Sequence, residues 1–374
     1  MLRALLVIIL LSVTSALRAQ GVTATQVLIG QSAPLSGINR ELGVDIRDGA
    51  LAYFRKVNEA GGVNGRKIEL VTIDDANVVK TAGDNTRKLI EENGVFALFG
   101  YASATLSRPA LPFVEQHRVP FLAPFTGADP MRVFNRYVYN MRASYADELE
   151  KVVDHFTPLA VKRFAIVHYD DVVGKENFTA VDRALKKRGV AAVSVAAFKD
   201  RAKPDIEAGM KEVLKGQPDV VIFTTLYKAT ADSIKYLRAQ GSGAYMVSNS
   251  FPGASQLQKE LGKQAAGVVI ATVVPPFGRM SVPVVGEYRT AFEKYMNRKD
   301  FSFTSLEAYI SAKVVVEALR KAGPKLTREG FMQALDGLST YDAGGYAVSF
   351  SNGNHNGSDW VELTIIGKDL TFKH

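Results

Sequence analysis

From Val27 onward the chain repeats one unit, a short apolar run followed by a stretch with apolar residues every third or fourth position. That beat restricts it to folds that alternate strands with helices. Val95-Phe96-Ala97-Leu98-Phe99-Gly100 is apolar throughout, the pattern of a strand buried on both faces of a parallel sheet. Val27-Leu28-Ile29-Gly30 reads as the first strand, and Ile46, Ala50, Phe54 and Val57 line one face of the helix after it. Gly61-Gly62-Val63-Asn64-Gly65 closes that helix in a tight turn. Lys67 to Ile73, Val119 to Ala123 and Arg136 to Met141 continue the strands, with helices over Thr81 to Glu92 and Ser107 to His117 between.

A second series starts near Tyr145, with strands at Arg163 to His168, Ala191 to Ala197, Asp219 to Thr225 and Ala244 to Ser248. Helices are predicted over Tyr145 to Phe156, Glu176 to Arg188, Asp205 to Lys215 and Ala229 to Gln240. Two successive arrays with short loops predict an α/β protein of two doubly wound, Rossmann-like lobes; a single eight-stranded barrel is the alternative with a similar strand count. The length of 374 residues also suits two cores better than one. After Gly267 come a strand, Val268 to Val274, three helices (Val285 to Met296, Ser305 to Ala322, Arg328 to Leu335) and two strand-like runs, Tyr346 to Phe350 and Trp360 to Ile366. Two strands alone cannot form a domain, so the tail must join an earlier sheet and the chain must cross between lobes more than once.

Residues 1–19 stand apart. A basic start, the apolar Ala4 to Val13 and small residues leading to Ala19 are the pattern of a secretory signal peptide, with an uncleaved anchor as the alternative. Cysteine is absent, which excludes disulfides, thiolate metal sites, a cysteine nucleophile and a lipid-bearing cysteine, so a lipoprotein is not expected. The formal charge of +8 becomes +6 once Arg3 and Arg18 leave with residues 1–19. Lys and Arg alternate with acids along helices, as solvated faces do, so no nucleic-acid partner is expected.

Catalytic motifs are missing from the places where this architecture carries them. Gly30 to Gly37 lacks the glycine spacing of a dinucleotide loop, and neither a Walker loop, G-x-S-x-G nor H-E-x-x-H occurs. His117, His155, His168, His355 and His374 lack ligand spacing, so no metal, cofactor or catalytic residue is expected. The acid pairs Asp74-Asp75 and Asp170-Asp171 follow strands, where helix capping and turn formation explain them.

Val27 to Arg132 resembles the branched-chain amino-acid-binding (Leu/Ile/Val-binding) family of periplasmic solute-binding proteins, with weaker similarity to about residue 345. The resemblance rests on Ile29-Gly30-Gln31-Ser32-Ala33-Pro34-Leu35-Ser36-Gly37, the helix start at Gly43 to Ala50, Asn58-Glu59-Ala60-Gly61-Gly62-Val63-Asn64-Gly65-Arg66, Asp74-Asp75 and Val119-Pro120-Phe121-Leu122-Ala123-Pro124, in that order. It implies two lobes joined by three crossovers, with residues 22–142 and 268–345 in one and 143–267 and 346–374 in the other. It also implies a small-molecule solute in the cleft, ligand-induced closure, a monomer, and the permease subunits of an inner-membrane ABC transporter as partners. A ligand-sensing lobe pair feeding a signalling partner, and an enzyme on the same lobes, are the alternatives.

Ligands of open α/β sheets bind beyond the carboxyl ends of strands. Ser103-Ala104-Thr105 and Phe125-Thr126-Gly127 occupy that place in the first lobe, and the resemblance implies that they hold a carboxylate. The family's cleft aromatics correspond to Leu42, Val173 and Leu226, with Tyr227 adjacent, and Tyr145 stands at the first crossover beside Arg142, for which a structural salt bridge is expected. The family's acidic partner for an ammonium corresponds to Ser250. A buried ammonium needs an opposite charge, so either the ligand lacks one, which favours an amide or an organic or aromatic acid over an amino acid, or Asp171 or Glu307 replaces the missing acid.

Overall fold

The computed structural model describes residues 20–37, 39–159 and 161–373. The expected signal peptide lies outside them. The first layer runs β1 (Gln26–Ala33), α1 (Arg40–Glu59), β2 (Lys67–Asp74), α2 (Val79–Arg87), β3 (Ala97–Phe99), α3 (Ser103–Ser107), α4 (Leu111–His117), β4 (Phe121–Leu122) and β5 (Val138–Tyr139). Its strands form one parallel sheet in the order β2-β1-β3-β4-β5. The central β3 is inaccessible to solvent at every residue, as its unbroken apolar run requires.

The second layer comprises α5 (Tyr145–Phe156), β6 (Phe164–Tyr169), α6 (Val172–Lys186), β7 (Ala192–Phe198), α7 (Ile206–Lys215), β8 (Val220–Phe223), α8 (Tyr227–Ala239), β9 (Tyr245–Ser248), α9 (Ala254–Leu261) and β10 (Val269–Thr272). The chain then forms α10 (Pro283–Met296), α11 (Phe303–Ala322), α12 (Arg328–Asp336), the ribbon β11 (Tyr341–Asp342) and β12 (Ala347–Val348), and finally β13 (Glu362–Ile366) and β14 (Phe372–Lys373). The second sheet has the order β14-β13-β10-β9-β8-β6-β7, with only β13 and β14 antiparallel to their neighbours. This is the doubly wound α/β architecture expected from the alternation.

Sheet membership departs from the expected boundaries in two places. β10 pairs with β9 and β13, so the chain leaves the second sheet after Thr272 and not at residue 268. At the other end, β12 pairs with β11 and the second sheet resumes only at Glu362. A strand's own sequence specifies its faces but not its neighbour. α9, which follows Phe251-Pro252-Gly253 and ends at Gly262, is not among the expected helices; its eight residues are too few for a helical period to stand out between those breakers.

α10 and α11 return to pack on α1, where Tyr53 and Tyr309 meet edge to face at 5.0 Å. Asp45 of α1 accepts hydrogen bonds from Ser302 Oγ (2.7 Å) and from Gln256 Nε2 of α9 (3.2 Å), joining the two layers. Burial lifts the Asp45 carboxyl to about 6, against the Ser302 hydrogen bond and the charge of Arg298. A carboxyl whose folded pKa exceeds its unfolded value destabilises above the folded pKa, and that cost disappears as the pH falls toward 4. Asp45→Asn is therefore expected to be more stable than the wild type at pH 8 by about 1–3 kcal/mol, the gap closing by pH 4. Urea denaturation at both pH values checks this; a gap independent of pH would assign the effect elsewhere.

Candidate functional site

Between the carboxyl edges of the two sheets lies a cavity walled by both. Ser103 and Phe125, after β3 and β4, and Leu42 of α1 come from the first layer, and Leu226, Ser250 and Phe251, after β8 and β9, come from the second. Arg142, Val273 and Val274, where the chain passes between layers, complete it with Glu307 of α11. Asn140 of the first passage runs beside Asn356 of the last, its amide donating to the His355 carbonyl at 2.8 Å. Ser103 (φ 65°) and Ala123 (φ 51°) hold left-handed backbone at the mouths of the two first-layer loops. Non-glycine residues pay for that conformation, and such strain concentrates where loops meet ligands.

A charged cluster occupies the deep end. The Arg142 guanidinium is buried between the rings of Phe125 and Tyr145, each 5.7 Å from it. Its Nη2 donates to Ser250 Oγ and to Glu148 Oε1 (3.3 Å), and its Nε stands 3.6 Å from Glu307 Oε1. The Glu148 carboxylate accepts from Ser250 N (2.6 Å) and Ser250 Oγ (2.7 Å). Burial opposes the charge of Arg142, but Glu307 and Glu148 outweigh it and hold the guanidinium above its ordinary value. Burial raises Glu148 against the opposing pull of Arg142 and Ser250, and raises Glu307 to about 7 with Arg142 opposing and Glu148 reinforcing.

Water-sized molecules have about 40 Å³ for their centres in the deep cavity, about 200 Å³ in a middle space and about 530 Å³ at the mouth. Ser103, Leu226 and Phe251 wall both the deep and middle spaces, and Thr105 and Arg201 wall both the middle and the mouth, so the three form one path. The deep part alone admits about three waters at ~10–15 Å³ each.

Six residues expected at the site line the deep cavity: Leu42, Ser103, Phe125, Tyr145, Leu226 and Ser250. Thr105 and Val173 stand further out, Val173 at the mouth and Thr105 along both outer spaces. The others face elsewhere. Ala104 is buried in the apolar cluster under β3, as the helix turn that exposes Ser103 points the next side chain inward. Thr126 is buried, its Oγ1 accepting from Ala128 N at 3.1 Å and meeting the Tyr145 hydroxyl, so it shapes the loop. Gly127 packs directly on the Tyr145 backbone, and Tyr227 opens α8 against the core.

Of the two acids expected as replacements, Asp171 lines the mouth, where it caps α6 through Gly174 N (3.0 Å) and pairs with Arg201 (2.6 Å), and Glu307 lines the deep cavity. Asp74 and Asp75 are turn formers, receiving the amides of Leu35, Ala76 and Asn77. Glu148 escaped sequence reading, although a signal existed. It lies three residues after Tyr145 on the stripe that continues through Leu149, Val152 and Phe156, and a charge on an apolar stripe demands a buried partner.

Two doubly wound lobes with a cavity at their facing carboxyl edges define a type I periplasmic binding fold. Residues 26–365 match the periplasmic binding protein family, and the chain belongs to it. It is 27% identical over 246 residues to an amino acid binding protein of Pseudomonas aeruginosa, an alignment covering 65% of each chain. To the Leu/Ile/Val-binding protein homolog 7 of Brucella melitensis it is 24% identical over 389 residues, 96% of this chain and 95% of that one. Among solved structures, a possible leucine/isoleucine/valine-binding protein from Rhodopirellula baltica superposes with a TM-score of 0.88 at 29% identity, covering 94% of this chain and 96% of the other. The family and these relatives are binding proteins, not enzymes.

Proposed function

We propose that the protein captures a small amino acid, amide or organic acid in the cavity between its lobes and presents it, as a periplasmic monomer, to the permease of an ABC importer. The observation that carries this reading is the cavity itself, walled by loops from both sheets and floored by the passages between them. A solute touching both walls stabilises the closed arrangement by its differential affinity for it, which a permease can read. The relatives named for binding Leu, Ile and Val support the importer role. The signal-peptide pattern expected in residues 1–19 supports export, and no described helix is long and apolar enough to cross a membrane. The lobes would divide near Arg142, after Thr272 and before Glu362.

Native mass spectrometry of the freshly purified protein, followed by gentle denaturation, is the direct test, because a cleft binder retains its solute and releases it on unfolding. Leu42→Trp places an indole into the cavity from a half-buried position on α1. It is expected to weaken calorimetric binding of the recovered solute at least ~10-fold, a difference of ~1.4 kcal/mol, with thermal stability retained. Unchanged affinity would move the binding site away from this cavity.

A further inference from the structure

On the reading that a solute occupies this cavity, we propose that the space outside its deep end is a second subsite, in which Arg201 selects solutes that carry an anionic group at their outer end. The deep cavity admits about three waters, whereas the middle space, at about 200 Å³ for the centres of water-sized molecules, admits roughly fifteen. A solute larger than a few waters therefore places most of its bulk in the middle space. What lines that space decides which solutes fit.

Arg201 follows β7 at the carboxyl edge of the second sheet and walls both the middle space and the mouth. Three contacts fix its guanidinium. It lies over the ring of Tyr169 at 4.6 Å and near that of Phe251 at 5.9 Å, and its Nε donates to Asp171 Oδ2 at 2.6 Å. These partners are themselves held: Tyr169 is buried, its hydroxyl accepting from Leu226 N at 3.3 Å, and Asp171 caps α6. Asp171 occupies Nε only. Among the described residues neither Nη of Arg201 has an acceptor, so an oriented, planar pair of charged donors is left for the solute.

The opposite wall comes from the first layer. Asn39 Nδ2 donates to Asn77 Oδ1 at 3.1 Å, and among the described residues the Asn77 side-chain amide donates to nothing. Both asparagines hold left-handed backbone, φ 66° and 62°, a costly conformation that persists where loops clamp ligands. An anion in the middle space thus meets a charged donor pair from one layer and a neutral donor from the other. Charge balance favours the same orientation. The mouth sets Arg108 and Arg201 against Asp171, whereas the deep end sets Arg142 against Glu148 and Glu307. A negative group is attracted outside and opposed inside. An uncharged end group forgoes the charge-assisted part of these hydrogen bonds.

The experiment is a thermal-shift screen of acid and amide pairs of increasing length: butanoate through octanoate, phenylacetate and leucine, each beside its primary amide. Hits, and any anionic solute that co-purifies, are followed by calorimetry on the wild type, Arg201→Gln and Arg201→Lys. The Arg201 side chain is one third exposed in a loop, so both variants are expected to keep the unfolding temperature of the wild type. Acids are expected to bind more tightly than their amides, and Arg201→Gln to weaken the acids at least ~10-fold while leaving the amides within about twofold. Arg201→Lys keeps the charge without the planar fork and is expected to fall between. Equal losses for acids and amides, or acid binding unchanged in Arg201→Gln, overturns the subsite while solute binding stands. Recovery of a co-purified solute without an anionic group does the same. If no member of any pair binds and no solute co-purifies, binding by this cavity is itself rejected, and the proposal with it.

Discussion

Arg142→Met is expected to lower the unfolding free energy by about 3–5 kcal/mol, because it leaves buried carboxylates without their counter-charge. Glu148 is inaccessible to solvent and takes part of its stabilisation from the Arg142 Nη2 at 3.3 Å, and Glu307 has no other cation nearby among the described residues. The guanidinium also fills the space between Phe125 and Tyr145, which methionine can occupy in volume but not in charge. Chemical denaturation of the single variant, of Glu148→Gln and of the pair measures the coupling. The double variant is expected to be more stable than the sum of the single losses, since the second change removes the charge that the first stranded. Additive losses, or a single-variant loss below about 1 kcal/mol, would show that the buried pair is not coupled.

Gly49→Ala is expected to cost about 3 kcal/mol, a sign opposite to that of an ordinary helical glycine. In an open helix position alanine gains roughly 1 kcal/mol over glycine. At Gly49 of α1, however, a Cβ would fall within the van der Waals envelope of the Ser305 backbone of α11, including its carbonyl oxygen. Backbone cannot rotate away as a side chain can, so α1 and α11 must separate and loosen the packing of Tyr53 on Tyr309. Gly83 of α2 is the internal contrast, since its Cβ would meet only Pro109 Cβ at 3.4 Å, and Gly83→Ala is expected to stabilise by up to ~1 kcal/mol. Thermal unfolding of the two variants side by side separates steric exclusion from helix propensity; equal and positive shifts would remove the close-approach explanation.

The same glycine shows how far local pattern reaches. Ile46, Ala50, Phe54 and Val57 identified the buried face of α1 from their spacing, and Gly49 lies on that face, but nothing local indicates that another backbone approaches it. The first-layer loops were legible for a general reason, that carboxyl ends of parallel strands face the ligand. Within those loops, which side chain faces the cavity was not. Ser103 and Phe125 do, whereas Ala104 and Thr126 are turned into the core by the backbone turns that follow β3 and β4.

The sequence by itself determined the period of each element, and hence the alternating α/β architecture, the apolar central strands and the loops from which a cleft could be built. Tertiary structure decided the placement of β10 in the second sheet, the approach of α11 to α1, and the meeting of Arg142, Glu148, Ser250 and Glu307. The physical reason is range. Helical and strand periods are written within a few residues, whereas Ser250 lies 108 residues from Arg142 and 102 from Glu148. A buried charge announces that a partner must exist, and only the folded chain selects which one.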